Sequence, residues 1–237
     1  MQLPYFIFKG VRSDSMGVVV NEYPPISRPP ERITSVIVPG RSGTLTVAES
    51  NRTIFDSYSR AFECSLIPGS NIDAVFAWLS GAGDLVAGNE PNRRYKARIA
   101  AQIDMNKIIR GNPYRAFTLV VVVQPEKYLY PSALAIELTA SPAQLTNPGN
   151  TPALPKITVY GSGNGVLSIN TQPVQISGMT GGIILDWAAD VITDPSGTVY
   201  QASMVEGGPQ YIDPGHNAVL WTGGITGIKV EPNWRFV

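Results

Sequence analysis

Ile37-Val38-Pro39-Gly40-Arg41-Ser42-Gly43-Thr44-Leu45-Thr46 joins one β-branched run to a second extended run through a Pro-Gly reversal. Pro39 presets the φ that a turn needs at its second position, and Gly40 supplies the positive φ of a type II turn at its third. The stretch therefore reads as strand, tight turn, strand. Taken alone it is an ordinary hairpin. The same alternation of extended runs and Gly/Pro punctuation continues through the chain and frames it.

Composition agrees with that grammar. The 237 residues are 43% hydrophobic and 15% charged, with 23 Gly and 20 Pro. This is apolar enough for a substantial core and too sparsely charged for disorder. Runs of helix formers are scarce, so the fold class is mainly β. Net charge is zero, but it is unevenly placed. Residues 1–136 carry 15 Lys+Arg and 11 Asp+Glu, a net +4, and residues 137–237 carry 3 and 7, a net −4. The sign change predicts two domains, neither basic enough for nucleic-acid binding. The polar, proline-rich stretch Ser141-Pro142-Ala143-Gln144-Leu145-Thr146-Asn147-Pro148-Gly149-Asn150-Thr151-Pro152 marks the boundary. The expected division is a domain over 1–136, a linker over 137–152 and a second domain over 153–237.

Upstream of the opening hairpin, Leu3 to Lys9 is an aromatic-rich strand and Val18 to Val20 another. Tyr23 to Pro30 holds four prolines and reads as a stiff, extended crossing. Downstream, Thr53 to Leu66 is extended. One helix is predicted after Pro68-Gly69-Ser70, with Ser70 or Asn71 as cap. Its packed face would be Ile72, Val75, Phe76 and Leu79, with Trp78 at the edge. In the strand around Tyr95, alternation puts Tyr95, Ala97 and Ile99 on one face and Arg94, Lys96 and Arg98 on the other. That basic row fits either contact with phosphate or an acidic partner, or a solvated face. Phe117 to Val123, apolar at nearly every position, is expected to be a central strand buried on both faces. After the boundary, about seven short strands follow without a helix, separated by turns such as Gly161-Ser162-Gly163-Asn164-Gly165 and Asp194-Pro195-Ser196-Gly197. That spacing is the signature of a β-sandwich or jelly roll.

Chemistry-bearing patterns are few. The single histidine, His216, lies in a turn with Asp213, and no nucleophile–base constellation forms around it in the sequence. Asp186, Asp190 and Asp194 miss the spacing of a calcium loop. Gly161 to Gly165 lacks the glycine spacing and the following helix of a phosphate cradle. No catalytic residue, metal site or cofactor is expected. The lone Cys64 sits in an apolar alternation and reads as a buried, inert thiol. No secretion signal or membrane-length apolar window is evident, so a reducing cytosol is the expected place of synthesis and no membrane insertion is expected. The one small-ligand option is an aromatic saccharide platform of Trp187, Tyr200, Tyr211 and Trp221, although core packing explains the same residues.

The order of landmarks resembles the distal tail protein (Dit) family of long-tailed bacteriophages with non-contractile tails. It comprises Tyr5-Phe6-Ile7-Phe8, the Val38-Pro39-Gly40-Arg41 turn with Gly43 and Leu45, one helix, and Tyr95-Lys96-Ala97-Arg98-Ile99. Gln124-Pro125 with Tyr128, Asn147 with Gly149-Asn150-Thr151 and Pro155, Pro214-Gly215 with Asn217, and Pro232 with Trp234-Arg235 complete the series. The resemblance implies a tail-tube-like N-terminal β domain with one α-helix and a C-terminal galectin-like β-sandwich. It implies a non-enzymatic hub at the distal end of the virion tail, assembled in the host cytoplasm as a hexameric ring through which DNA passes without being specifically bound. The implied partners are further copies of the chain, the tail tube protein, the tail-fibre or tail-lysin hub, and a receptor-binding protein or host saccharide. In that frame Val38, Pro39, Gly40, Arg41 and Gly43 become a possible ring interface, with Arg41 at the tip where it can reach a neighbour. Arg94, Lys96 and Arg98 become a possible partner-facing row. The alternative function is a saccharide-binding sandwich module for host recognition.

Overall fold

The computed structural model describes residues 3–47, 53–106, 114–198 and 204–237. Gly111-Asn112-Pro113, a turn signal in the sequence, and Tyr200 lie outside the described residues. The protein is mainly β, with one α-helix among the described residues. It divides into two compact units, Met1–Lys127 (with Val237) and Tyr128–Phe236.

The first unit contains β1 (Phe6–Phe8), β2 (Val11–Arg12), a 3-10 turn at Ser13–Met16, β3 (Val18–Glu22), β4 (Thr34–Ile37), β5 (Thr44–Val47), β6 (Tyr58–Leu66), α1 (Ile72–Trp78), β7 (Gly81–Ala87), β8 (Arg93–Ile99) and β9 (Arg115–Leu129). All but β4 and β5 form one sheet of order β2-β1-β7-β8-β9-β6-β3. The sheet curls until its ends approach each other. Val20 N–H in β3 donates to Pro4 O, just before β1, at 3.2 Å. Tyr23 Oη accepts from Tyr5 N and donates to Tyr5 O, both at 2.9 Å. Curling leaves little exposed edge. The inward faces supply a core of Phe6, Phe8, Phe62, Leu85, Leu119 and Val121, all fully buried. Each such side chain contributes about 2–3 kcal/mol by leaving water.

Two details depart from the sequence reading. The run Phe117 to Val123 is hydrogen-bonded on both sides, but only Phe117, Leu119, Val121 and Val123 are buried, while Val120 and Val122 face outward. A curled sheet has one inside, so an all-valine run buries half its side chains. In α1, Asn71 caps by accepting from Ala74 N–H at 3.1 Å. The packed face is Val75 and Leu79, both buried, with the partly buried Ile72 and Trp78, while Phe76 is 39% exposed. Trp78 turns inward because it stacks on Phe6 (centroids 5.6 Å apart, planes 4° apart) and its indole N–H donates to Phe8 O at 3.0 Å. The flat indole with a satisfied donor outcompetes Phe76 for the same surface.

The second unit contains β10 (Ile136–Leu138), β11 (Ala143–Asn147), β12 (Lys156–Ile169), β13 (Gln172–Met179), β14 (Ile183–Asp186), β15 (Val191–Thr193), β16 (Val205–Glu206), β17 (Gly215–Glu231) and β18 (Arg235–Phe236). The last residues of β9 also belong to it: Leu129 packs on its core and Leu129 N–H donates to Trp234 O at 3.2 Å. Residues 137–152, expected as linker, contribute two short stretches to the sheet. β10 pairs with the end of β17 and β11 with its beginning, and Leu145 is buried. Their prolines fall between the strands rather than in them, which is why a proline-rich composition misled.

Of the expected short strands, Val174–Ser177 lies within β13 and Ile183–Asp186 is β14, but the runs on either side of the glycines are fused into longer strands. β12 and β17 are 14 and 17 residues long and pair along most of their length. The glycine stretch 161–165 does not reverse the chain. It is a bulged bend inside β12, facing Gly223 and Gly224 of β17. A Cβ on Gly161 would lie 2.1 Å from Gly224 O, so only glycine lets the two backbones pass so closely. Beyond the bend each long strand changes partner. β12 pairs β14 before it and β13 after it, while β17 pairs β11 before it and β10 after it. One strand pair thereby joins the strands on either side of the bend around a core of Ile157, Val159, Leu167, Ile169, Leu185 and Val230.

Candidate assembly surface

β4 and β5 form a separate two-stranded sheet in which Thr34 opposes Val47, Ser35 opposes Thr46, Val36 opposes Leu45 and Ile37 opposes Thr44. The turn is the one read from the sequence. Arg41 N–H donates to Val38 O at 3.2 Å, and Gly40 and Gly43 have φ of 80° and 82°. No described residue of the hairpin belongs to the hydrophobic core of the unit. Ile37 is 79% and Ile33 57% exposed, and Val36, Val38 and Leu45 are exposed too. Val36 and Leu45 share one face and Ile37 lies on the other, so both faces carry bare apolar side chains. Arg41 is exposed at the tip.

The root of this arm is built of short-range ties. Arg32 N–H donates to Ile54 O (2.8 Å) and Asp56 N–H to Pro30 O (2.9 Å). Arg32 pairs with Asp56 at 2.7 Å, and Arg28 pairs with Glu31 at 2.5 Å and lies 5.3 Å from the Phe55 ring centroid. An isolated two-stranded hairpin is marginal in water, and bare apolar faces with open edges are what a partner surface covers.

The basic row stands on the outward face of β8. Arg94 and Lys96 both reach Asp84 of β7, at 3.2 and 2.8 Å. Arg98 is exposed. Inside the curled sheet lies a polar group that was not singled out from the sequence. Arg60 Nη1 donates to Glu90 Oε2 (2.9 Å), Tyr95 Oη donates to the same oxygen (2.6 Å), and Lys127 Nζ lies 3.3 Å from Glu90 Oε1. The Arg60 side chain is 2% exposed. Burial pushes the Glu90 carboxyl up, but the Tyr95 hydrogen bond and the charges of Lys127 and Arg60 outweigh it and hold the carboxyl below its ordinary range. Burial and that hydrogen bond raise the Tyr95 phenol. The available signal was phase: Arg60 alternates with Phe62, Cys64 and Leu66, and Lys127 with Val121 and Val123, all inward-facing. Cys64 is buried in this core, and desolvation, with Glu63 adding, lifts its thiol to about 12.

In the second unit the aromatic platform does not form as expected. Trp187 and Trp221 are 7% and 8% exposed and belong to the core, so neither presents a face to a sugar ring. Trp221 falls on the inward phase of β17, between Val219 and the bend, and Trp187 follows Leu185 into the same interior. Tyr211 is half-buried, its N–H donating to Gln172 Oε1 at 2.7 Å. His216 Nδ1 lies 3.2 Å from Thr146 Oγ1, while the Asp213 backbone is engaged by Asn217. Asp194 organises its own turn, accepting from Ser196 and Thr198. Among the described residues no three His, Cys, Asp or Glu side chains are grouped to hold a metal ion.

No family model matches the sequence, and no curated protein matches it. Solved structures do. The chain superposes on the SPP1 Dit protein, described as a paradigm of the hub adsorption apparatus in phages infecting Gram-positive bacteria. The TM-score is 0.79 and the identity 13%, over 100% of both chains. A chain of the phage P2 baseplate in its activated conformation with calcium matches with a TM-score of 0.50 and 8% identity, over 97% of this chain and 98% of that one. So little identity over complete coverage means that the shared property is the path of the backbone: this chain has the Dit fold.

Proposed function

We propose that the protein is a non-enzymatic structural hub of a bacteriophage tail tip, located at the distal end of the tail in the virion. In this reading six copies close into a ring that joins the tail tube to the tail-fibre or tail-lysin hub, with the second unit as the outward, galectin-like module for further tail proteins. The observation that carries the proposal is the full-length likeness to a hub protein, spanning both units. The bare apolar arm supports it, because closed cyclic assembly covers exposed edges and faces that would otherwise aggregate. Val38, Pro39, Gly40, Arg41 and Gly43 form the tip through which one copy would engage the next.

Size-exclusion chromatography with light scattering, followed by negative-stain microscopy, tests this. Six-fold rings, or a concentration-dependent hexamer, are the expected outcome. A strict monomer at all concentrations, with no rings on the grid, would sink the proposal.

A further inference from the structure

Away from the arm, the outward face of β7, β8 and β9 holds an open groove of about 550 Å³, bordered by Ala82, Asp84, Lys96, Arg98, Val122 and Gln124. Register decides its charge. Asp84 opposes Lys96, and Ala82 opposes Arg98. The two carboxylate oxygens of Asp84 are shared between Arg94 and Lys96. Arg98 faces a methyl group across the strand and has no ion pair among the described residues. Along the row, Arg94 and Lys96 thus share one carboxylate, while among the described residues the Arg98 guanidinium is unshared.

Lys96 and Arg98 are two residues apart on a strand, so their backbone positions are separated by about 6.6–6.8 Å. Alternate side chains of any extended peptide have the same period. A guanidinium fork fits a carboxylate with two parallel hydrogen bonds, Gln124 offers an amide to a main chain, and Val122 offers an apolar contact. A polyphosphate backbone fits less well. Its binding scales with many neutralised charges, whereas here Asp84 stands among the cations and would face a phosphate. We infer that this groove receives an extended acidic segment of a partner protein, with carboxylates at alternate positions and the principal one on Arg98. The inference goes beyond the hub reading and does not require the ring.

The test is fluorescence anisotropy of the full chain with a labelled peptide of four Thr-Glu repeats at low salt. Saturable binding is expected, weakened about tenfold or more by Arg98→Glu. Ala82→Glu should do the same, because it gives Arg98 a carboxylate within its own sheet. Asp84→Asn should tighten binding severalfold by freeing Lys96. Circular dichroism of each variant should match the parent, since all three positions face outward. Absence of saturable binding, or unchanged affinity in both Arg98→Glu and Ala82→Glu, overturns the inference. So does an oligothymidine of equal charge that binds as tightly and is lost with the same substitutions.

Discussion

Glu90 sits where inward-facing polar side chains of three strands converge: Arg60 from β6, Tyr95 from β8 and Lys127 from β9. Arg60 Nη2 also reaches Pro25 O at 3.4 Å, and Asn89, beside Glu90, donates to Pro24 O at 3.3 Å. The cluster therefore fastens the proline crossing that leads into the arm as well as the strands beneath it. Glu90→Gln removes the one carboxylate from between two buried cations, and breaking a buried pair in this way costs about 3–5 kcal/mol. Urea unfolding should show that loss as a lower midpoint with an unchanged slope. The sign with pH follows from the depressed carboxyl. Stability from Glu90 is complete above its ordinary value of 4.5 and is lost as pH falls through the lower folded value. The parent midpoint should therefore fall on acidification below about pH 4.5, and the Glu90→Gln midpoint should fall less. Equal acid slopes in the two proteins would show that the cluster does not carry this dependence.

The arm β4–β5 is the element whose sequence and environment disagree most. Elsewhere in the first unit alternate residues of a strand turn inward, as Phe117, Leu119, Val121 and Val123 do in β9; none of Ile33, Val36 and Ile37 is buried. Ile37→Asp, at the most exposed of these positions, should leave thermal stability of the protomer within about 0.5 kcal/mol, as for other surface sites. It should nevertheless abolish or strongly weaken the hexamer in light scattering, and Arg41→Glu at the tip should weaken it. Rings that form normally in both variants would make the hairpin merely structural. This element also marks how far the sequence could be read. The turn, its residues and its strands follow from Pro39 and Gly40, because turn chemistry is local. Whether the arm packs on its own domain is set by distant residues and has no local signature. The same division explains the other outcomes. The Asn71 cap and the outward Arg94, Lys96 and Arg98 were legible from neighbours in sequence. The choice of Trp78 over Phe76, the bend at Gly161 to Gly165 and the burial of Trp221 depend on what lies across the core, on Phe6, Gly224 and Leu167.

Each of the two units closes a hydrophobic core from its own residues, and their charges are opposite, +4 for residues 1–127 and −4 for 128–237. Features that ask for a partner are concentrated in the first: the bare arm and the groove beside Arg98. Exposed apolar residues of the second are Leu134 in a loop, Tyr160 and Val166 on β12, Val191 on β15 and Leu220 on β17. Some exposed apolar residues are normal on a protein surface, and a net negative charge opposes self-association. Residues 128–237 alone retain both long strands and every strand that pairs with them. That fragment should fold, with dispersed amide resonances and a cooperative thermal transition, and should remain monomeric at concentrations where the full chain forms rings. The arm then accounts for assembly. If the fragment instead assembles to the same order as the full chain, the ring-forming surface belongs to the second unit, and the arm must cover some other partner.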